Sequence, residues 1–156
     1  MVADVAGNIN GVFCEVLAQF AFMFAEPCCR DELPRGASDF VRAEVKFAGP
    51  LTGSMGLVVP LEMCAEIAAN ALGVERTDEE VQAASLDALR ELANLTCCHL
   101  LSSLAGEKAV FDVSVGRSKD FDQQQWTLAR NADDTYTFLA DEGYSVLVTF
   151  TATPAA

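Results

Sequence analysis

Asp87, Glu91 and Asn94 stand four and three residues apart in the run Asp87-Ala-Leu-Arg-Glu91-Leu-Ala-Asn94. On a helix that turns about 100° per residue, with Glu91 at zero, Asp87 lies near about −40°, Asn94 near about −60° and Cys98 near about −20°. Ala84, Ser102 and Ala105 fall on the same side, whereas Leu86, Leu89, Ala93, Leu100 and Leu104 gather opposite and define an expected core face. A side-chain amide cannot act as a general base, but it can accept one hydrogen bond while donating another. Small flanking side chains leave room for a second surface to come close. Charged residues opposite a leucine face are also what any solvated helix presents, so the stripe alone assigns no chemistry. Asn94 is its unusual member, because asparagine is a poor helix former away from helix ends.

Cysteines at 14, 28, 29, 64, 97 and 98 are the other candidate reactive groups. No C-x-x-C pair occurs among them, and adjacent cysteines on a helix point about 100° apart. Cys97, Cys98 and His99 therefore do not converge on one ion, and no metal site is expected. Reduced thiols used as small core residues account for the pattern. A thiol sensor built on the Cys28-Cys29 or Cys97-Cys98 pair is the alternative. His99, the one histidine, projects at about 80° on the wheel, at the flank of the helix, and is expected to pack there.

The elements that must position the stripe can be read from periodicity. A first helix is predicted over 8–25, stopping before Pro27, with Phe13, Val16, Leu17, Phe20, Phe22, Met23 and Phe24 around most of its circumference. Residues 27–38 read as a loop, with two prolines and a glycine. Alternation over 40–48 predicts a strand, and Gly49-Pro50-Leu51-Thr52-Gly53 supplies turn chemistry. An antiparallel return is expected over 54–59, with Met55, Leu57 and Val59 inward. A second helix over 61–72 should end at Gly73. The third, carrying the stripe, should start from a Thr77–Glu80 capping box and run to Ala105 before Gly106. Strands are predicted over 110–115, 125–129, 135–139 and 144–151, the last pair joined by a turn at Asp141-Glu142-Gly143. The fold class is α+β: three helices, one of them long, on one face of a mostly antiparallel sheet, with a helix followed by strands in each half of the chain.

Composition narrows the partner. The chain has 156 residues, enough for one domain around one core, and 51% of them are apolar, which excludes a disordered chain. A formal net charge of −13, with ten scattered cations, argues against a nucleic-acid partner and against an anionic membrane surface. The most apolar stretch, 12–25, holds Glu15 and Gln19 and is too short to span a bilayer. The first residues carry no positive n-region, so a cytoplasmic location is expected. An acidic chain suits a protein partner with a basic patch.

The run Asp87 to Asn94 resembles the (D/S)-x-x-x-E-x-x-N signature of the CheC, CheX and FliY chemotaxis phosphatases. Phe47-Ala-Gly-Pro-Leu-Thr-Gly-Ser-Met-Gly-Leu-Val-Val is similar to that family's F-x-G-x-x-x-G hairpin, and the helix from Met63 to Gly73 and the order of elements agree across most of the chain. CheC-like members often carry the motif on each long helix. Here Glu15 is the counterpart of Glu91, but Ala18 stands where a second asparagine would be, so a single motif resembles CheX. The resemblance implies a CheC-like fold with a pseudo-two-fold repeat, one CheX-like phosphatase domain over 1–156, and a homodimer. It also implies hydrolysis of the aspartyl phosphate of a phosphorylated CheY-type receiver, which brings its own Mg2+ and lysine, so no cofactor is needed from this chain. Asn94 would orient the attacking water, Glu91 would pair with the receiver's lysine, and Asp87 and Cys98 would contact the partner. Family members usually have glycine shortly after the asparagine, where this chain reads Leu95-Thr96-Cys97-Cys98. A module of this fold that binds a receiver or dimerises without catalysis is the second functional alternative.

Overall fold

The computed structural model describes residues 4–33, 39–114, 116–141 and 143–155. Residues 34–38 of the expected loop, Val115 at the end of an expected strand and Glu142 in the expected turn lie outside them.

The first helix, α1, spans Val5–Ala21 rather than 8–25. It begins early because the Asp4 carboxylate accepts a 3.0 Å hydrogen bond from the Gly7 amide. It ends early because Phe22 turns left-handed at φ 52°, after which Ala25–Pro27 forms a short edge strand, β1. The Phe24 amide donates to Asp141 Oδ1 and the Asp141 amide donates to the Phe24 carbonyl, both at 2.7 Å. Two reciprocal bonds to the sheet thus replace the last turn of the expected helix. A single 3-10 turn, Arg30–Glu32, follows within the expected loop.

The hairpin of β2 (Asp39–Ala48) and β3 (Leu51–Pro60) matches the predicted alternation, with Val45 opposite Met55. Met55, Leu57 and Val59 are buried as expected. The second helix, α2, runs Leu61–Leu72 and stops at Gly73 with φ 71°. The third, α3, runs Glu79–Ala105 and is closed by Gly106, whose amide reaches the Ser102 carbonyl at 2.9 Å. Its N-cap is Asp78 and not Thr77: the Asp78 carboxylate accepts from the Glu80 amide at 2.9 Å.

The second half of the chain departs most from expectation. The strand expected over 110–115 contracts to β4 (Asp112–Val113), and an unforeseen strand, β5, covers Arg117–Asp122. The strand expected over 125–129 is instead a helix, α4 (Gln123–Arg130). Its cause is a reciprocal capping box. The Gln125 amide donates to Asp122 Oδ1 at 2.7 Å, and Gln125 Oε1 accepts from the Asp122 amide at 2.9 Å. β6 (Thr135–Ala140) and β7 (Tyr144–Pro154) complete the chain as expected, β7 running three residues further. The described residues therefore hold four α-helices, not three.

All pairings are antiparallel, in the order β1-β6-β7-β3-β2-β4. β5 lies along the same edge of β2 as β4, pairing Asp39–Glu44 while β4 pairs Phe47–Ala48. Exchanging α1-β1-β2-β3 for α3-β4-β6-β7 turns this order into its own reverse. The two halves meet at β3 and β7. Helices α1, α2 and α3 cover one face, where Phe13, Leu17, Ile67, Leu92 and Leu100 pack on Val45, Met55, Phe138 and Val148. Short α4 covers one end of the opposite face. There Trp126 stacks on Phe40 at 5.2 Å and packs with Val58 and Leu147, which explains why Val58 is buried although it points away from the main core.

Glycine at 53 is set by the β3–β7 pairing, since a Cβ there would lie 1.9 Å from the Thr151 carbonyl oxygen. Gly11, by contrast, sits in α1 with nothing within 4 Å of an added Cβ. Gly53→Ala should destabilise by at least about 2 kcal/mol. Gly11→Ala should stabilise by about 0.5–1 kcal/mol. Urea titration of both variants reads this out, and a loss of stability in Gly11→Ala would contradict the placement of α1.

Candidate functional site

Helix α3 is oriented by its buried side, made of Leu89, Leu92, Ala93, Thr96, Cys97, Leu100 and Leu101. Two members of the expected core face differ: Leu86 is 38% exposed and Leu104 half-buried. The opposite stripe is outward as expected. Asp87, Glu91 and Cys98 are exposed, and Asn94 is half-buried among them. Glu91 and Asn94 are separated by about 4.5 Å of rise along the axis, close enough to address one small target together.

Each member of the stripe has a distinct environment. The Asp87 carboxylate accepts a hydrogen bond from Arg90 Nη2, and Arg90 Nη1 donates to Ser118 Oγ on β5 at 2.7 Å. Arg90 was not singled out from the sequence. Its i,i+3 spacing from Asp87 was legible, but its contact with β5 depends on a strand the sequence did not disclose. Glu91 makes no ion pair or hydrogen bond among the described residues. The Asn94 amide likewise has no hydrogen bond, and its Oδ1 is shut off from solvent with no partner. An acceptor buried in this way costs about 1–3 kcal/mol. Folding does not account for it, and turning the amide about χ2 to exchange oxygen and nitrogen breaks no bond within the chain.

Helix α1 runs antiparallel alongside, with Ser103 Oγ near the end of α3 donating to Asn8 Oδ1 near the start of α1. Glu15 is exposed and accepts from Gln19 Nε2 at 3.3 Å. Ala18, half-buried, offers no amide, so the second long helix adds none of the stripe's chemistry. His99 is exposed rather than packed at the helix flank, because it lies on the side of α3 away from the sheet.

The six cysteines are all free, and every thiol is held above its ordinary value. Burial pushes Cys64 and Cys97 up to about 12. Burial also raises Cys14 and Cys28, while Cys29 is raised chiefly by its hydrogen bond with Glu32. For Cys98 burial is the larger cause and the Glu91 carboxylate the second. Thiols kept protonated are poor nucleophiles and poor redox sensors at neutral pH, which counts against a thiol-based function. Among the described residues no group of His, Cys, Asp and Glu side chains is arranged to hold a metal ion, and no helix is long and apolar enough to cross a membrane.

Residues 41–117, which include most of β2, all of β3, α2 and α3, and the whole stripe, match the family model described as chemotaxis phosphatase CheX. No curated protein matches the sequence. Among solved structures, the CheX-CheY-BeF3-Mg+2 complex from Borrelia burgdorferi is similar at 17% identity and TM-score 0.66, over 96% of this chain and 97% of that one. Chemotaxis protein CheX from Vibrio vulnificus is similar at 17% identity and TM-score 0.69, over 97% of each chain. FliY from Thermotoga maritima is similar at 14% identity and TM-score 0.57, over 96% of this chain and 91% of that one.

The neighbourhood of Cys98 is directly measurable. Its alkylation should reach half-maximal rate at a pH above that of an unperturbed cysteine, since the thiolate is the reacting form. Glu91→Gln should bring that midpoint down only part of the way, because burial remains. Peptide mapping after timed iodoacetamide labelling follows this residue by residue. A midpoint unmoved by Glu91→Gln would place Glu91 out of reach of Cys98.

Proposed function

We propose, from the premise that the chain belongs to the CheX-like family of chemotaxis phosphatases, that it hydrolyses the aspartyl phosphate of a CheY-type receiver, with Asn94 orienting the water. The observation that carries this reading is the unpartnered amide of Asn94 on an outward stripe, one turn from an unpaired Glu91.

Phosphoryl transfer requires mainly positioning and charge stabilisation. The receiver is expected to bring Mg2+ and a lysine for the phosphoryl oxygens, so this chain has to supply only a held nucleophile. When α3 docks, the Asn94 side chain enters the receiver's site. Its carbonyl accepts a hydrogen bond from the water while its NH2 group donates to a neighbouring acceptor. The water oxygen forms a bond to phosphorus in line with the aspartyl oxygen, whose bond to phosphorus breaks. Inorganic phosphate leaves, and the aspartate is restored as its carboxylate. Holding the water in line converts a diffusive step into an oriented one.

Glu91 fixes the register of docking by pairing with the receiver's lysine. Asp87 supports it from one turn away, tied to Arg90. Cys98, exposed one turn beyond Asn94, sets how closely the receiver approaches. It is also the residue that favours the second reading, a module that binds a receiver without turnover, because its bulk stands where the family usually has glycine.

Phosphate release from a phosphorylated receiver tests the proposal. Asn94→Ala should lower the rate constant by about 100-fold or more while leaving receiver affinity within about threefold. Glu91→Ala should weaken receiver binding by about tenfold or more, the loss of a charged hydrogen bond. Equal phosphate release by wild type and Asn94→Ala would overturn the role of the amide, and a phosphoryl half-life unaffected by wild type would leave only the binding module. The same premise makes the chain one CheX-like phosphatase unit that forms a homodimer. Analytical ultracentrifugation should then give twice the chain mass of 16.7 kDa.

A further inference from the structure

The outer face of the sheet, away from α1, α2 and α3, carries a cationic groove that the proposed chemistry does not use. It lies between β2 and β5, encloses about 550 Å3, and is lined by Arg42, Glu44, Arg117, Ser118, Lys119 and Phe121. That volume falls within the range typical of small-molecule sites, about 300–1,000 Å3. The location is unexpected on electrostatic grounds. The chain carries −13 overall, yet here three cations stand against one carboxylate.

The pairing of β2 with β5 sharpens the point. Arg42 is directly opposite Lys119, and Glu44 directly opposite Arg117. Directly opposed residues project to the same face, and like charges so placed destabilise a strand pair. Neither Arg117 nor Lys119 makes an ion pair among the described residues. Lys46, two residues beyond Glu44 and also exposed, adds a fourth cation to this face. Glu44 is the one carboxylate lining the groove, shared between Arg42, which it binds, and Arg117, which it opposes, so the groove keeps a net positive charge.

Arg42 is already held in position. A Cβ at residue 56 would lie 2.6 Å from Arg42 Nη2, so glycine there leaves the space in which the guanidinium lies across β3. Nη2 donates to Glu44 Oε2 at 2.8 Å and to Thr149 Oγ1 at 3.5 Å, which holds the planar group in one orientation. A guanidinium fixed in this way loses little entropy when it binds the oxygens of a phosphate, and two flexible cations beside it can close on the same charge. Phe121 adds an apolar wall at one end of the groove.

We propose that the β2–β5 groove is a binding site for a small phosphate-bearing anion, held by Arg42, Arg117 and Lys119. The site sits on the face opposite the docking stripe, so it is independent of the aspartyl-phosphate reading.

Isothermal titration of the full chain with inorganic pyrophosphate, and separately with ADP, tests the proposal. Saturable one-to-one binding with a dissociation constant below a millimolar is expected for at least one of the two, weakening as salt rises. The double variant Arg117→Ser, Lys119→Ser should lose affinity by about tenfold or more. Its circular dichroism should match wild type and its melting temperature should not fall, because both side chains are exposed. Lys108→Ser, away from the groove, should bind as wild type does. Absence of saturable binding to both probes overturns the proposal, as does equal binding by wild type and the double variant. Saturable binding of a polyglutamate peptide with neither phosphate probe taken up would also overturn it, assigning the face to an acidic protein segment instead.

Discussion

Burial of Leu89, Leu92, Ala93, Cys97, Leu100 and Leu101 fixes α3 in rotation about its own axis, and thereby fixes which residues it presents to solvent. Each buried leucine contributes about 1.5–3 kcal/mol relative to exposure. Four of them outweigh the cost of one unpaired amide on the opposite side, which is about 1–3 kcal/mol. The fold can therefore keep Asn94 unsatisfied without losing the helix. The same rotation sends Glu91 and Cys98 outward together, so the composition of the stripe follows from packing and not from interactions within it. Only Asp87 is tied, through Arg90, to the sheet edge at Ser118. An exposed ion pair of this kind contributes about 0–1 kcal/mol, so its consequence is orientation of the carboxylate more than stability.

The sheet gives α3 a fixed base through its centre. β3 and β7 join the two halves of the chain over eight paired residues, and they approach so closely at Gly53 that no side chain fits between them. Helices α1 and α3 lie antiparallel over that seam. The relation between the halves is topological, not chemical: α3 carries an amide at Asn94, whereas α1 carries Ala18 after Glu15. Half of the fold thus serves as a platform for the other half.

What could be read from the sequence follows the strength of local signals. Helix α2 was legible to the residue, because Pro60 and Gly73 bracket an unbroken helical pattern. The β2–β3 hairpin was legible because alternation and turn residues agreed. Helix α4 was not. Trp126 and Leu128 mimic the alternation of a strand, and the Asp122–Gln125 capping box that overrides it lies at the margin of the pattern. Strand β5 was missed for the opposite reason. Arg-Ser-Lys-Asp-Phe-Asp reads as solvated chain, yet charges suit an edge strand that must not recruit another. The stripe itself was visible from spacing. That Asn94 is unpaired and that Arg90 braces Asp87 were not, because both depend on contacts between elements.

The two cysteines after Asn94 act on α3 in different ways. Glycine in a helix interior costs about 1 kcal/mol relative to alanine, so a glycine at either position would loosen the helix behind Asn94. Here Cys97 is fully buried and adds to the core face, which makes α3 more firmly seated. Cys98 is exposed on the outward stripe and takes up space there. Its thiol is held protonated by burial and by Glu91, so it brings volume without charge. A surface meeting this stripe therefore encounters the same electrostatic pattern as it would with glycine, but at a greater distance. That distance bears on Asn94 more than on Glu91: a long carboxylate side chain can extend across an added gap, whereas an asparagine amide is one methylene shorter.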